Sequence, residues 1–161
     1  MPRIELAELA AETPADWNVQ GMLTLTLPSD DPSVKPNVIV TKEYLPNEVD
    51  LPTYFGRIKD SIQKRGIRDL KISDEKDIAI SGVRGKMMLC SWDVSAMADM
   101  MKQRDPEKPA PNIKPGQIVK QIQVTLLKDK LAINMTASFP DEKFQDYYKP
   151  FQQFLKSLKI S

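Results

Sequence analysis

The sequence predicts an α+β fold, an antiparallel β-sheet of about six strands with helices packed on one face, and three observations lead there. Residues 22–28, "MLTLTLP", and 118–140, "IVKQIQVTLLKDKLAINMTASFP", alternate apolar and polar side chains with the two-residue period of half-buried strands. Residues 51–64 and the last stretch of the chain change to helical spacing. The 161 residues suit one domain, 1–161, with no internal repeat and no second core.

In chain order, Leu23, Leu25 and Leu27 point one way from the first strand while Met22, Thr24 and Thr26 point the other. Pro28 and the polar "SDDPSVKP" end it, and the β-branched "NVIVTK" of residues 37–42 makes its neighbour. Leu51, Tyr54 or Phe55, Ile58 and Ile62 form the apolar stripe of a surface helix, with Pro52 in the first turn and Gly66 past the end. Ile72, Ile78 and Ile80 lead to a turn at residues 82–85, followed by a strand through Met87 and Leu89, or through Met88, Cys90 and Trp92. In the next hairpin "KDK" is the turn. Ile122, Val124 and Leu126 share one face with Leu131, Ile133, Met135 and Ala137, and Gln121, Gln123, Thr125, Asn134 and Thr136 take the other. Phe144, Tyr148, Phe151, Leu155 and Leu158 fit a closing helix, with Pro150 expected at or near its first position because proline removes a hydrogen bond inside a helix.

One segment departs from this plan. Residues 87–101 hold five of the eight methionines, Met87, Met88, Met97, Met100 and Met101, and four prolines follow between 106 and 115. Methionine fills cores and also lines adaptable binding surfaces. Met87 and Met88 alternate on a strand, so at least one belongs to the core. Val94, Met97, Met100 and Met101 fall in an insertion at about 93–116, where Val94, Met97 and Met101 would make the stripe of a short helix capped by Asp93 or Ser95. The Pro-rich run is then a stiff return arm, and the flap either packs on the sister subunit of a dimer or covers a bound segment.

Composition narrows the function. The formal charge of +1 comes from 23 basic and 22 acidic residues, interspersed, which gives no reason to expect nucleic acid or an anionic membrane as partner. The absence of histidine removes His-activated nucleophiles, His general bases and His-containing zinc sites. Cys90, the only cysteine, reads as a buried small hydrophobe and permits no internal disulfide. Asp30 with Asp31, and Asp74, Glu75 and Asp77, sit in turn-like polar stretches that supply neither desolvation nor enforced like-charge contact. No Gly-rich loop joins a strand to a helix, so there is no phosphate cradle. The expectation is therefore a chain that is not an enzyme, with no catalytic residue, metal or cofactor. The N-terminal residues carry neither a signal-peptide pattern nor a lipid-acceptor cysteine, and no stretch approaches the ~20 apolar residues of a membrane span, which points to the cytoplasm without membrane insertion.

The polar sheet face is the remaining candidate. Met22, Thr24, Thr26, Gln121, Gln123, Thr125, Asn134 and Thr136 together offer hydroxyls and amides with some apolar character. Any antiparallel sheet with one wet face shows such residues, and the same set can also hold an extended or helical partner segment.

The succession "ADW", "LTLTLPS", "PNVIVTKEYL", "LPTYFGRIKDSI", "IAISGVRGKMMLCSW", "QIQVTLLKDKLAINMTASFP" and a closing amphipathic helix resembles the DcrB-related family, over about residues 14–161. Trp17, Tyr54, Arg57, Gly82, Trp92 and Gln123 are its most telling positions. The resemblance implies a PsbP-like (Mog/PsbP) fold. It also implies a likeness to the Eag-type chaperones of type VI secretion systems, cytoplasmic homodimers that hold the hydrophobic N-terminal transmembrane segments of an effector and aid its loading. On that resemblance Gln123 takes the place of a sheet-face glutamine that contacts the client, and Met22 and Thr24 take apolar positions of the same surface. Thr24 departs from the pattern in being polar, Ile58 stands where a second polar contact belongs, and the 93–116 insertion replaces a short connection. The alternative reading is a regulatory protein-binding module of the Mog type, contacting a folded globular partner through charges around Lys42, Glu43 and Arg57.

Overall fold

A computed structural model of the chain describes residues 3–6, 9–12, 14–16, 21–29, 35–67, 69–95, 106–107 and 116–160. Strands β1 (Arg3–Leu6) and β2 (Leu9–Glu12) pair as a separate two-stranded hairpin. The main sheet contains β3 (Gly21–Thr26), β4 (Asn37–Tyr44), β5 (Lys71–Ile80), β6 (Val83–Asp93), β7 (Ile118–Lys128) and β8 (Leu131–Pro140), in the order β3-β4-β8-β7-β6-β5 with every neighbour antiparallel. Helix α1 (Leu51–Lys64) carries the chain from β4 across to the far edge at β5, and a meander then returns it until β8 slots beside β4. A 3₁₀ turn (Asp141–Lys143) leads into α2 (Phe144–Ser157). The α+β fold with its six-stranded antiparallel sheet is the one the sequence predicts.

The helices, however, lie on opposite faces of the sheet rather than on one. Val38, Met87, Ile122, Val124, Leu126, Met135, Ala137 and Phe139 form one core with Phe151 of α2. Met88, Cys90, Trp92, Val94 and Val119 form another with Phe55 and Ile62 of α1. Consecutive residues of β6 thus serve different cores. Strands covered on both sides read as near-continuous apolar runs, which is why "KMMLC" does not alternate cleanly.

The local chemistry that sets the elements is visible. Asp50 caps α1, its Oδ1 accepting from the Thr53 N–H at 2.9 Å and its Oδ2 from the Thr53 hydroxyl at 2.8 Å, and these bonds hold its carboxyl below the ordinary value. The β5–β6 turn is Ser81–Gly82, with φ of 53° and 77°, the pair of positive angles a type I′ hairpin requires. Gly85, which the sequence places in this turn, instead lies within β6 opposite Ile78 and Leu126. A Cβ there would come 2.5 Å from Leu126 Cδ2 and closer still to the Thr125 carbonyl oxygen, so the glycine permits a close strand approach. Strand β5, an edge, breaks register between Ser73 and Lys76 and carries Lys71, Asp74, Glu75, Lys76 and Asp77, features that discourage edge-to-edge pairing.

Pro150 sits inside α2, seven residues along, not at its start. The missing backbone bond is outweighed by tertiary packing, since Phe144, Tyr147 and Tyr148 before it and Phe154, Leu155 and Leu158 after it all pack on the same core. Phe139 of β8 anchors this stripe, with ring centroids 5.5 Å from Tyr147 and 6.0 Å, edge-on, from Phe151.

The insertion leaves and rejoins the sheet at one place. Asp93 pairs with Ile118, the Val94 N–H donates to the Gln117 carbonyl at 2.8 Å, and the Asp93 carboxylate accepts from the Ser95 N–H at 2.8 Å. Val94 is buried in the α1-side core and is therefore no exposed flap contact. Met97, Met100, Met101 and Trp17 lie outside the described residues.

Candidate functional site

The α1 face of the sheet is built from three rows of side chains that run across the strands. From β3 through β4 and β8 to β7 they are Met22, Thr41, Asn134 and Thr125; then Thr24, Ile39, Thr136 and Gln123; then Thr26, Asn37, Ser138 and Gln121. No ionisable side chain stands in these rows. The first row meets charges at its borders, at Lys86 on β6, which is held by Asp77 at 3.0 Å, and at the exposed Glu43, two residues beyond Thr41 on the same face of β4. In a chain with 28% charged residues this is an unusual surface.

Each row is tied across the β7–β8 pair by a side-chain hydrogen bond. The Thr125 hydroxyl donates to Asn134 Oδ1 at 2.8 Å, the Thr136 hydroxyl to Gln123 Oε1 at 2.8 Å, and Gln121 Nε2 to the Ser138 hydroxyl at 3.2 Å. Asn134 then donates from Nδ2 to the Tyr54 hydroxyl at 2.9 Å, and that hydroxyl donates to Glu43 Oε1 at 2.5 Å. This relay fastens α1 to β8 and β4. Burial and the Glu43 carboxylate push the Tyr54 phenol up to about 12, so it remains a neutral donor.

Burial grades steeply across the face. Met22 is 69% exposed and Thr24 and Thr26 are exposed; Asn134 and Thr136 are half-buried; Gln121, Gln123 and Thr125 are 8%, 5% and 0% exposed. The sequence places all eight on an open surface, and the structure corrects this for the β7 residues. They lie on the expected face, but α1 packs on that face, and Tyr54 reaches over to the Thr125–Asn134 pair. The accessible part is the β3–β4–β8 portion. Asn37, Ile39, Thr41 and Ser138 complete it and escape a reading of the sequence, because their membership depends on β8 inserting beside β4, a long-range pairing with no local signal.

The Cys90 thiol is pushed up to about 11 by burial, with a small opposing pull from Arg65, so it is held as the unreactive thiol. Among the described residues no group of three His, Cys, Asp or Glu side chains could hold a metal ion, and no helix is long and apolar enough to cross a membrane.

No family model and no curated protein matches the chain. Among solved structures, a protein of unknown function from Pseudomonas aeruginosa, PA94, regarded as a candidate regulator, is similar over 100% of this chain and 97% of its own, at 16% identity and a TM-score of 0.71. The solution structure of the cyanobacterial PsbP protein (CyanoP) from Synechocystis sp. PCC 6803 also matches, over 94% of this chain and 86% of its own, at 8% identity and a TM-score of 0.45. The likeness to the Pseudomonas protein extends over essentially the whole of both chains and shows a shared fold.

Proposed function

We propose that this protein is a non-enzymatic chaperone or adaptor that holds a hydrophobic, transmembrane-type segment of a type VI secretion effector against the β3–β4–β8 surface, acting in the cytoplasm as a homodimer. The reading joins the resemblance to the DcrB-related, PsbP-like family and its Eag-type chaperones with one observation, the accessible rows without ionisable side chains that cross β3, β4 and β8. A membrane helix in water needs its apolar surface covered, and a cover that brings no charge into the contact has no ion to desolvate. Threonine and asparagine side chains beside Met22 and Ile39 supply hydrogen-bonding groups for the polar atoms such a segment carries.

The test is co-expression with an effector fragment bearing N-terminal transmembrane segments, followed by affinity capture. Wild type should recover the fragment, and Met22→Asp with Thr24→Asp should lose it while melting at an unchanged temperature. Equal recovery by the double variant would sink the surface, and no recovery by wild type would sink the function. Charge reversal at Lys42 and Arg57 should leave recovery intact; loss there would favour the regulatory module instead.

A further inference from the structure

On the other face of the sheet, between α2 and the β5–β6 hairpin, lies a cleft of about 390 Å³, within the range of small-ligand pockets. Ile78, Ile80, Met87 and Leu155 give it an apolar lining, and its charged lining residues among those described are Lys76 and Lys156. Lys76 holds the position on β5 that pairs with Met87, on the side occupied by Ile78 and Ile80 further along, so a cation stands where the alternation calls for an apolar residue. Neither lysine has an ion-pair partner among the described residues. Lys76 alone could be an edge guard and Lys156 alone a last-turn cation of α2, but neither role requires that both line one apolar cleft.

A second cleft of about 460 Å³ shares Lys76, Met87 and Tyr148 with the first and continues towards Phe144. Asp74 and Glu75 also line this second cleft, but the Glu75 carboxylate is already paired with Lys59 at 2.8 Å, so the cations left for an anionic head are Lys76 and Lys156. We infer that the joined clefts bind a small anionic amphiphile, a medium-chain carboxylate, with its head between Lys76 and Lys156 and its chain along Met87 towards Phe144. This site is on the face opposite the charge-free surface and does not depend on the function proposed above.

Decanoate, kept below its micelle concentration, is the probe, titrated into the full chain by calorimetry and by NMR of methionine methyl groups. Saturable binding should move the Met87 methyl and leave that of Met22 in place. Lys76→Glu with Lys156→Glu should weaken binding at least tenfold, and decanol should bind at least tenfold more weakly than decanoate. Should the charge reversal unfold the chain, Lys76→Gln with Lys156→Gln gives the same comparison. Absence of saturable binding at millimolar decanoate, undiminished affinity in these variants, or a shift at Met22 in place of Met87 would each overturn the inference.

Discussion

Replacing Tyr54 by phenylalanine removes one oxygen and breaks the relay that holds α1 to the sheet. That hydroxyl donates to the Glu43 carboxylate and accepts from Asn134, while the ring itself is 5% exposed and stays packed. A hydrogen bond to a charged group contributes about 1.5–3 kcal/mol and a half-buried amide donor left unpaired adds to the loss, but Glu43 is exposed and regains water, so about 2 kcal/mol is the expected cost at pH 7. For a chain of 161 residues that lowers the melting temperature by about 6 °C.

The same oxygen makes the difference depend on pH. Folding raises the Tyr54 phenol from 10.0 to about 12, so between these values the folded state binds the proton and the unfolded state releases it. The stabilisation is complete below pH 10 and is lost as pH rises towards 12. At pH 11 the wild type has lost about 1.4 kcal/mol through this group, a loss the Tyr54→Phe variant cannot show. Urea titrations of both proteins at pH 7 and pH 11 should therefore give a gap of about 2 kcal/mol that shrinks to about 0.6. The other titrating groups are common to both chains and cancel. A gap that stays constant, or widens, would refute the relay as drawn.

Three further outcomes follow from the packing. Gly85→Ala places a methyl against Leu126 and the Thr125 carbonyl and should cost about 3 kcal/mol, read as a lower urea midpoint with an unchanged slope. Pro150→Ala restores a backbone donor at an exposed position of α2 and should stabilise by about 1–2 kcal/mol; destabilisation would mean that the proline shapes the helix to the core. Cys90, fully buried and with its thiol pushed up to about 11, should resist a disulfide reagent at pH 8 in the folded protein and react at once in guanidinium; rapid reaction of the native chain would contradict its placement.

Most elements are legible because their signals are local. The alternation of residues 22–28, the stripe and caps of α1 and the turn at residues 129–130 each depend on neighbours within a few positions. The errors fall where long-range packing overrides a local rule. Pro150 is tolerated because aromatic side chains on both sides of it share the Phe139 core, and no window of sequence reveals that partner. The ambiguity between Met87 with Leu89 and Met88 with Cys90 and Trp92 resolves into both, since β6 feeds two cores. The same fact moves α1 to the face expected to be open and buries Gln121, Gln123 and Thr125. The hairpin β1–β2 has no counterpart among the strands the sequence predicts.

The two edges of the sheet supply the strongest argument that the charge-free surface is more than an ordinary wet face. Both belong to one sheet, in one chain, and both are edges among the described residues. At β5 the usual devices are present: a register break and five ionisable residues in ten positions. At β3, "GMLTLT" has no charge, no proline and no register break. Hydration alone favours neither arrangement over the other, and avoidance of aggregation favours the β5 pattern at both edges. What distinguishes β3 is that a partner's apolar surface can settle on it without stripping water from an ion, a cost of several kcal/mol for each charge buried. A single aspartate at Met22 restores that cost. With the native side chain 69% exposed, the substitution should leave folding stability within about 0.5 kcal/mol of wild type, so any loss of binding reports on the contact rather than on the fold.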